Sequence, residues 1–206
     1  MSEYGKLTVG VLALQGDFER HLYQLRRVGA KAREVRRPAD LEGLDGLIMP
    51  GGESTTMNIL MDRFALREPL RAFAQTRPVW GTCAGMIMAA REIEDNQAGV
   101  RPLGLIDITV VRNGYGRQVF SFEAHLAARL GPAATALAAT FIRAPRVTRV
   151  GPGVTALAEY RGAPVLVAAG RVLASSFHTE LGEDTTLVEY FLRKYLLRTA
   201  AANIYS

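Results

Sequence analysis

This sequence contains a single cysteine, Cys83, in 206 residues. One thiol excludes an intrachain disulfide and fits a reducing compartment, so we expect a cytoplasmic protein. Long hydrophobic runs are also missing, because the early apolar stretch at 7–14 is too short to cross a bilayer. This stretch runs into Gly16 and Asp17 without a convincing cleavage site. We therefore expect a first strand there, with no signal peptide and no association with a membrane.

Patterns for metal and nucleic-acid binding are absent as well. The chain has three histidines and no Cys or His spacing typical of a zinc site, so we expect no metal. The net charge is +5 and the pI is near 9.7, with part of the positive charge concentrated at 26–37. A nucleic-acid site would show a recognisable module or interleaved aromatic residues, and neither is present. We interpret the cluster as a solvated basic face, with a docking surface for an acidic partner as the alternative.

The first half of the sequence alternates strand and helix signals. With 49% hydrophobic residues, the chain can form a single domain over 1–206, with a core at about 7–198. The predicted strands lie at 7–14, 32–35, 44–49 and 79–80, and the predicted helices lie at 18–28, 55–61 and 66–73. This order predicts a three-layer α/β fold, in which an open, mostly parallel sheet carries helices on both faces.

The second half is richer in strand signals. Candidate strands lie at 105–111, 118–122, 138–142, 154–160, 165–168 and 172–176. The last two are predicted to form a hairpin around Gly170 and Arg171. An amphipathic helix is predicted at 185–197, with Leu187, Phe191 and Tyr195 on one stripe.

The segment Gly-Thr-Cys-Ala-Gly at 81–85 carries the strongest chemical signal. It follows a predicted strand and precedes an apolar helical segment at 86–90, so Cys83 lies at a tight turn between them. The same arrangement with serine is the nucleophile elbow, Gly-x-Ser-x-Gly, whose small flanking residues allow a strained turn. A lone cysteine is more often a small buried hydrophobe. Here the glycine frame and its candidate partners favour a nucleophile.

A cysteine nucleophile needs a base, and the base needs an orienting group. His178 lies at the end of a predicted strand, two residues before Glu180. Because residues two apart in an extended chain point to the same side, Glu180 can fix the tautomer of His178. Attack on a carbonyl also creates an oxyanion, for which the backbone N–H of Ala84 and the glycine turn at 50–54 are candidate donors. That turn follows a predicted parallel strand, where open α/β sheets place their sites.

Several motifs stand together in the order of a known family. They lie at 11–16, 50–56, 81–86, 112–118, 121–123, 141–145 and 176–178, and they span the chain from about Val9 to the final helix. Together they closely resemble the glutaminase subunits of pyridoxal 5′-phosphate synthases, a family of class I, triad-type glutamine amidotransferases. The elbow alone would indicate only the superfamily. The Gly-Gly-Glu-Ser-Thr-Thr, Arg-Asn-x-x-Gly-Arg-Gln and Phe-Ile-Arg-Ala-Pro segments make the resemblance specific.

The resemblance implies a flavodoxin-like α/β fold and a role for each matched residue. Cys83 would be the nucleophile, His178 the base and Glu180 its orienter, with oxyanion donors at Gly52 and Ala84. The residues that the resemblance places around L-glutamine are Gly52, Glu53, Ser54, Arg112, Ile142 and Arg143. Arginine suits this substrate, because glutamine carries an α-carboxylate.

Gln15 is implied to lie near the oxyanion hole and the interface with a partner.

Two positions depart from the family pattern. Thr179 stands where the family usually has proline, and Glu-Arg-His at 19–21 stands where it tends to have Arg-Glu-His. Threonine is β-branched and accepts extended geometry, so we expect the triad to survive this change.

The sequence thus predicts hydrolysis of L-glutamine to L-glutamate and ammonia. By resemblance, the ammonia passes to a separate synthase subunit that builds pyridoxal 5′-phosphate from a pentose phosphate and a triose phosphate. Pyridoxal phosphate would be the product of the assembly, so no cofactor is expected. Three alternatives stay open: an amidotransferase subunit for a different acceptor enzyme, a cysteine peptidase-like hydrolase, and a non-catalytic module that regulates a synthase.

Overall fold

A computed structural model describes residues 2–94, 96–115 and 121–197. The strands in this part of the chain are β1 (Thr8–Leu12), β2 (Lys31–Val35), β3 (Gly46–Met49), β4 (Val79–Thr82), β5 (Ala90–Glu94), β6 (Ile106–Val111), β7 (Ser121–Ala128), β8 (Thr135–Ile142), β9 (Arg146–Val150), β10 (Thr155–Tyr160), β11 (Ala163–Ala169) and β12 (Val172–Ser175). The helices are α1 (Phe18–Arg27), α2 (Ser54–Arg63), α3 (Arg67–Thr76), α4 (Ala84–Ala89) and α5 (Thr186–Phe191), with a 3₁₀ helix at Pro38–Leu41 and a π-helix at Leu192–Leu197. Within these described ranges, no helix is long and apolar enough to cross a membrane.

Seven strands form the central sheet, in the order β10-β11-β12-β4-β3-β1-β2. The strands from β12 to β2 run parallel, whereas β11 and β10 continue the sheet as antiparallel neighbours at one edge. The predicted open, mostly parallel α/β sheet and the β11–β12 hairpin are therefore confirmed. The parallel part has the flavodoxin-type order, in which the connections change direction between β1 and β3. In such sheets, ligands bind beside this change, at the carboxyl ends of the strands.

Side chains of the central strands alternate between two cores. Ile48 and Trp80 are buried on one face with residues of α1 and α5. Leu47 and Val79 are buried on the other face with residues of α2, α3 and α4. Because both faces are covered, the inner parallel strands β1, β3 and β4 are nearly continuous apolar runs, whereas the edge strand β2 is polar and largely exposed.

Two smaller sheets lie beside the central one, with the order β5-β6-β9 in one and the β7–β8 hairpin in the other. The hairpin is attached to the segment after β12 by two backbone hydrogen bonds. The N–H of Thr140 donates to the carbonyl of His178 at 3.0 Å, and the N–H of His178 donates back at 2.8 Å. The hairpin therefore holds this segment at the carboxyl edge of the central sheet.

The structure corrects several boundaries. The predicted helix at 185–197 is α5 followed by the π-helix, and Ala90 begins β5 rather than continuing a helix. Of the predicted strand at 118–122, residues 118–120 lie outside the described residues and the rest begins β7. Strands β5 and β9 were not predicted. In β9, only Val147 is buried, so no apolar alternation marks it.

Candidate active site

Cys83 occupies the turn between β4 and α4. Its φ is +51°, in the left-handed region that non-glycine residues rarely adopt, and its N–H donates to the carbonyl of Ser175 at 2.8 Å. A Cβ at Gly85 would lie 2.0 Å from the carbonyl oxygen of Met49. A Cβ at Gly81 would lie 2.5 Å from the carbonyl oxygen of Gly85. Both glycines are thus required by close backbone contacts, and the local geometry is that of a nucleophile elbow.

His178 and Glu180 form a hydrogen-bonded pair just after β12. The distance between His178 Nδ1 and Glu180 Oε1 is 2.5 Å, and the backbone N–H of Thr179 donates to Glu180 Oε2 at 3.0 Å. A carboxylate at this position favours the tautomer with the proton on Nδ1. The other ring nitrogen, Nε2, is then available as a base towards the nucleophile.

Electrostatics make this pair an ion pair. Burial by itself would raise the pKa of Glu180, but His21 and His178 outweigh burial and bring that pKa well below its usual range. Burial by itself would lower the pKa of His178, but hydrogen bonds and charge interactions with Cys83 and Glu180 raise it to about 10. A carboxylate that holds an imidazolium beside a thiol is the electrostatic arrangement of a cysteine nucleophile with its base.

A cavity of about 230 Å³ opens between Cys83 and His178. All six residues that the sequence analysis assigned to glutamine line this cavity: Gly52, Glu53, Ser54, Arg112, Ile142 and Arg143. Three further lining residues were not assigned from the sequence: Asp17, Ile87 and Asn113. Asn113 could have been found, because it lies inside the Arg-Asn-x-x-Gly-Arg-Gln segment.

The glycine turn after β3 packs directly on the base. A Cβ at Gly51 would lie 2.4 Å from Cε1 of His178, so only glycine allows the imidazole this close. Gly52 has a φ of +134°, and its Cβ would lie 2.3 Å from Oε1 of Gln15. The same Gln15 oxygen accepts a hydrogen bond from the N–H of Glu53 at 2.9 Å. Gln15 therefore supports the turn from behind and is not among the residues that line the cavity.

Glu53 and Arg112 put charges of both signs on the cavity wall. Burial by itself would raise the pKa of Glu53, but N–H groups of Thr55 and Thr56 donate to its carboxylate and lower that pKa. Arg112 Nη2 lies 4.0 Å from Glu53 Oε1. With Arg143 and Asp17 also on the wall, the cavity presents two carboxylates and two guanidinium groups, which suits a zwitterionic amino acid.

The remaining assigned residue, Ala84, is buried as the first residue of α4, directly after Cys83. Its N–H is therefore on the turn that carries the nucleophile. The cavity wall is closed near the sulfur by Ile142, whose carbonyl oxygen lies 3.8 Å from Cys83 Sγ. Among the described residues, no cluster of three or more His, Cys, Asp or Glu side chains could hold a metal ion.

His21 is a further residue, outside the cavity, that the sequence analysis did not assign to the site. It is 1% exposed, and its Nε2 lies 3.4 Å from Glu180 Oε1. The available signal was its position next to Leu22, which belongs to the apolar stripe of the first helix, so that burial of His21 could have been predicted. The sequence gives no indication, however, that this helix faces the segment after β12, which is separated from it by about 150 residues.

Comparison with known proteins identifies the family. The model of the SNO glutamine amidotransferase family matches residues 11–197. A Deinococcus radiodurans protein named pyridoxal 5′-phosphate synthase subunit PdxT is 53% identical over 190 residues, which are 90% of this chain and 96% of that protein. A Geobacillus kaustophilus protein of the same name is 46% identical over 187 residues, covering 90% of this chain and 93% of that protein.

Solved structures agree with this result. A crystal structure of a glutamine amidotransferase superposes with a TM-score of 0.84 at 46% identity, covering 90% of this chain and 97% of that one. The PurLQS structure from Thermotoga maritima superposes with a TM-score of 0.69 at 13% identity, covering 92% and 99% of the two chains, and this likeness concerns the fold alone. The match over nearly the whole described chain, together with the cysteine elbow and its histidine, shows that the chain belongs to the SNO glutamine amidotransferase family.

Proposed function

We propose that this chain hydrolyses L-glutamine to L-glutamate and ammonia through Cys83, His178 and Glu180. The observation that carries the proposal is the strained Cys83 beside the buried His178–Glu180 pair, on a cavity lined by charges of both signs. The chain is a glutaminase subunit, as the relatives named pyridoxal 5′-phosphate synthase subunit PdxT are subunits of that synthase. Its ammonia goes to a separate synthase subunit that forms pyridoxal 5′-phosphate.

The reaction follows from the positions of three side chains. The Cys83 thiolate attacks the side-chain amide carbon of glutamine, and the oxyanion accepts hydrogen bonds from the N–H groups of Gly52 and Ala84. The C–N bond breaks as His178 gives its proton to the leaving ammonia, which leaves a glutamyl thioester on Cys83. His178 then takes a proton from water, whose oxygen attacks the thioester and releases glutamate.

Substrate specificity rests on the charged wall of the cavity. Arg112 and Arg143 bind the α-carboxylate, and the Glu53 carboxylate attracts the α-ammonium. Gly52, Ser54 and Ile142 complete the glutamine site. Gln15, behind the glycine turn, links this site to the partner interface. Docking of the synthase subunit therefore changes the position of the oxyanion-hole donor at Gly52. The protein acts in the cytoplasm as one domain over 1–206, without a cofactor of its own.

The test is glutamate release from L-glutamine, by this chain alone and with a pyridoxal 5′-phosphate synthase subunit. Cys83→Ala should reduce turnover by at least about a thousandfold, because no other group can form the thioester. A melting curve of the variant must show that the fold is retained.

Three outcomes would contradict the proposal. Glutamine turnover by a folded Cys83→Ala protein would exclude the thioester mechanism. Normal binding of the synthase subunit without Cys83-dependent hydrolysis would favour a regulatory module. Hydrolysis that does not respond to this subunit would point instead to a different acceptor enzyme.

A further inference from the structure

His21 is a buried titratable residue that the mechanism does not use. His21 lies on the inner side of α1 and is 1% exposed. Neither ring nitrogen has a hydrogen bond of good geometry within the described residues, yet Nε2 lies 3.4 Å from Glu180 Oε1. Buried polar groups are normally paired, so an imidazole in this position requires an explanation.

Anchoring of α1 does not supply that explanation. One turn further along the helix, the Gln24 amide donates to the carbonyls of Thr179 and Asp184, at 3.0 Å each. These two bonds fix α1 to the segment after β12 without any contribution from the imidazole. The His21 ring packs edge-on against Trp80, with 5.6 Å between ring centroids, and an apolar ring would make this contact equally well.

The contact with Glu180 is more informative, because it involves the oxygen that holds the base. Glu180 Oε1 is 2.5 Å from His178 Nδ1 and 3.4 Å from His21 Nε2, whereas Oε2 accepts from the Thr179 N–H. A nitrogen facing a carboxylate oxygen at this distance carries its proton, since two lone pairs would repel. We propose that His21 is a positioning residue that shares the Glu180 carboxylate with His178 and so tunes how readily His178 releases its proton.

The inference rests on the proposed function, because it takes His178 as the base of the reaction. A second donor on Oε1 withdraws negative charge from the carboxylate, so Glu180 stabilises the His178 imidazolium less strongly. The imidazolium then gives its proton more easily to the departing ammonia. His21 therefore acts on the reaction through Glu180 and does not line the glutamine cavity.

Within the part of the chain that the structure describes, other charged side chains on α1 and the segment after β12 are not paired with the imidazole. The His21 imidazole interacts with Glu180, Glu180 interacts with His178, and His178 interacts with Cys83. The neighbours on the helix and on the segment after β12 are exposed or paired elsewhere: Glu19 and Arg20 are exposed, Glu183 pairs with Arg27, and the Asp184 carboxylate accepts from the N–H groups of Thr186 and Ala138. The His21–Glu180–His178 series is therefore the relevant unit for a test.

His21→Phe is the direct test, since it keeps a flat ring against Trp80 and removes both nitrogens. We expect the pKa of His178 to rise by about half a unit or more, because Glu180 then serves His178 alone. The chain has three histidines, so an NMR titration of the imidazoles can follow His178 with the exposed His125 as an internal reference. The limb of the kcat/KM profile that reports His178 should move in the same direction, with KM for glutamine changed less than about twofold.

Gln24→Leu is the matched control, because it removes two hydrogen bonds on the same helix face without touching Glu180. It should lower the melting temperature and leave the His178 titration in place. If His21→Phe does not fold, His21→Leu is the second variant, because it also removes both nitrogens and introduces a smaller side chain than phenylalanine.

A folded variant in which the pKa of His178 stays within about 0.2 units of the wild type would overturn the inference and leave His21 as a packing residue. This outcome is separable from failure of the proposed function. The NMR shift needs no turnover, so a shift in a protein that does not hydrolyse glutamine would leave the inference standing and reject only the reaction.

Discussion

At the residue scale, Glu180 shows how a buried charge becomes useful. The side chain is almost completely buried, which by itself disfavours a carboxylate. His178, His21 and the Thr179 N–H surround its two oxygens, so the charged form is retained. A charge that is held by several donors orients the imidazole without taking its proton.

Thr179 is one of the two positions that the sequence analysis set apart from the family pattern, and its N–H donates to Glu180 Oε2. We expect Thr179→Pro to lower turnover by less than about tenfold, or roughly 1.4 kcal/mol in activation free energy. Proline removes one hydrogen bond to Oε2, but it stiffens the backbone and leaves the 2.5 Å contact between His178 and Oε1. Steady-state glutamate release measures the effect.

Thr179→Ala is the control for that change, because it keeps the N–H and loses only a hydroxyl that is buried without a partner. It should turn over glutamine at close to the wild-type rate. A thousandfold loss in Thr179→Pro would mean that the Oε2 contact is essential, and an equal loss in both variants would implicate the side chain instead.

At the scale of elements, the site is assembled from the carboxyl ends of parallel strands. Gln15 follows β1, Gly51 and Gly52 follow β3, Cys83 follows β4, and His178 follows β12. The first two of these strands flank the change of direction in the sheet, where such folds place their ligands. The hairpin β7–β8 then fixes the last segment through its bridge to His178.

The packing of α4 on β3 gives a prediction at this scale. Gly85→Ala places a Cβ 2.0 Å from the Met49 carbonyl oxygen, so α4 must move away from the end of β3. We expect a loss of about 2 kcal/mol or more in the free energy of unfolding, together with loss of glutaminase activity, because Cys83 moves with the helix. Urea unfolding and glutamate release measure the two effects.

Gly131→Ala is the matched control, since a Cβ there meets no atom within 4 Å. Its stability should stay within about 0.5 kcal/mol of the wild type. Wild-type stability in Gly85→Ala would show that α4 can retreat from β3 without cost and would contradict the packing argument.

At the scale of the whole molecule, three of the six cationic residues in the basic cluster at 26–37 form ion pairs within the protein. Arg27 pairs with Glu183, Arg36 pairs with Glu34, and Arg37 pairs with Asp40. The positive net charge is therefore not concentrated in an unpaired patch at these three arginines, which agrees with a solvated face. Exposed pairs of this kind contribute little to stability.

The His178–Glu180 pair makes global stability depend on pH in two windows. The pKa of His178 is raised from 6.5 to about 10, so its contribution is complete below pH 6.5 and is lost as the pH rises toward 10. The pKa of Glu180 is lowered from 4.5, so its contribution is present above pH 4.5 and is lost as the pH falls through the lowered value. The stabilisation by this pair is therefore greatest between about pH 4.5 and 6.5.

Glu180→Gln should flatten the curve of unfolding free energy against pH. Between pH 6 and 9.5, the difference in unfolding free energy between wild type and variant should shrink by about 1 kcal/mol or more. The wild type loses stability over this range because the His178 imidazolium, which Glu180 stabilises, gives up its proton. Urea unfolding at a series of pH values measures this difference. Parallel curves for the two proteins would show that Glu180 does not hold the imidazolium.

The elements closest to the chemistry were predictable because local sequence specifies them. The glycines around Cys83, the two-residue spacing of His178 and Glu180, and the apolar strands that precede them are all short-range patterns. Those patterns predicted the elbow, the pair and the parallel sheet. The polar edge strands β5 and β9 carry no such pattern. They are identified only in the structure, where each forms backbone hydrogen bonds with β6.

The sequence by itself determined the chemistry of this protein: one thiol on a strained turn, one imidazole and one carboxylate in extended chain. Resemblance to a family added Gln15, Glu53 and Arg112 to the site, but only the tertiary structure decided which distant groups contact one another. It brings His21 to Glu180, Gln15 to the glycine turn, and Arg112 to Glu53. These contacts join residues far apart in the chain, and their geometry depends on the order of strands in the sheet, which residue spacing does not encode.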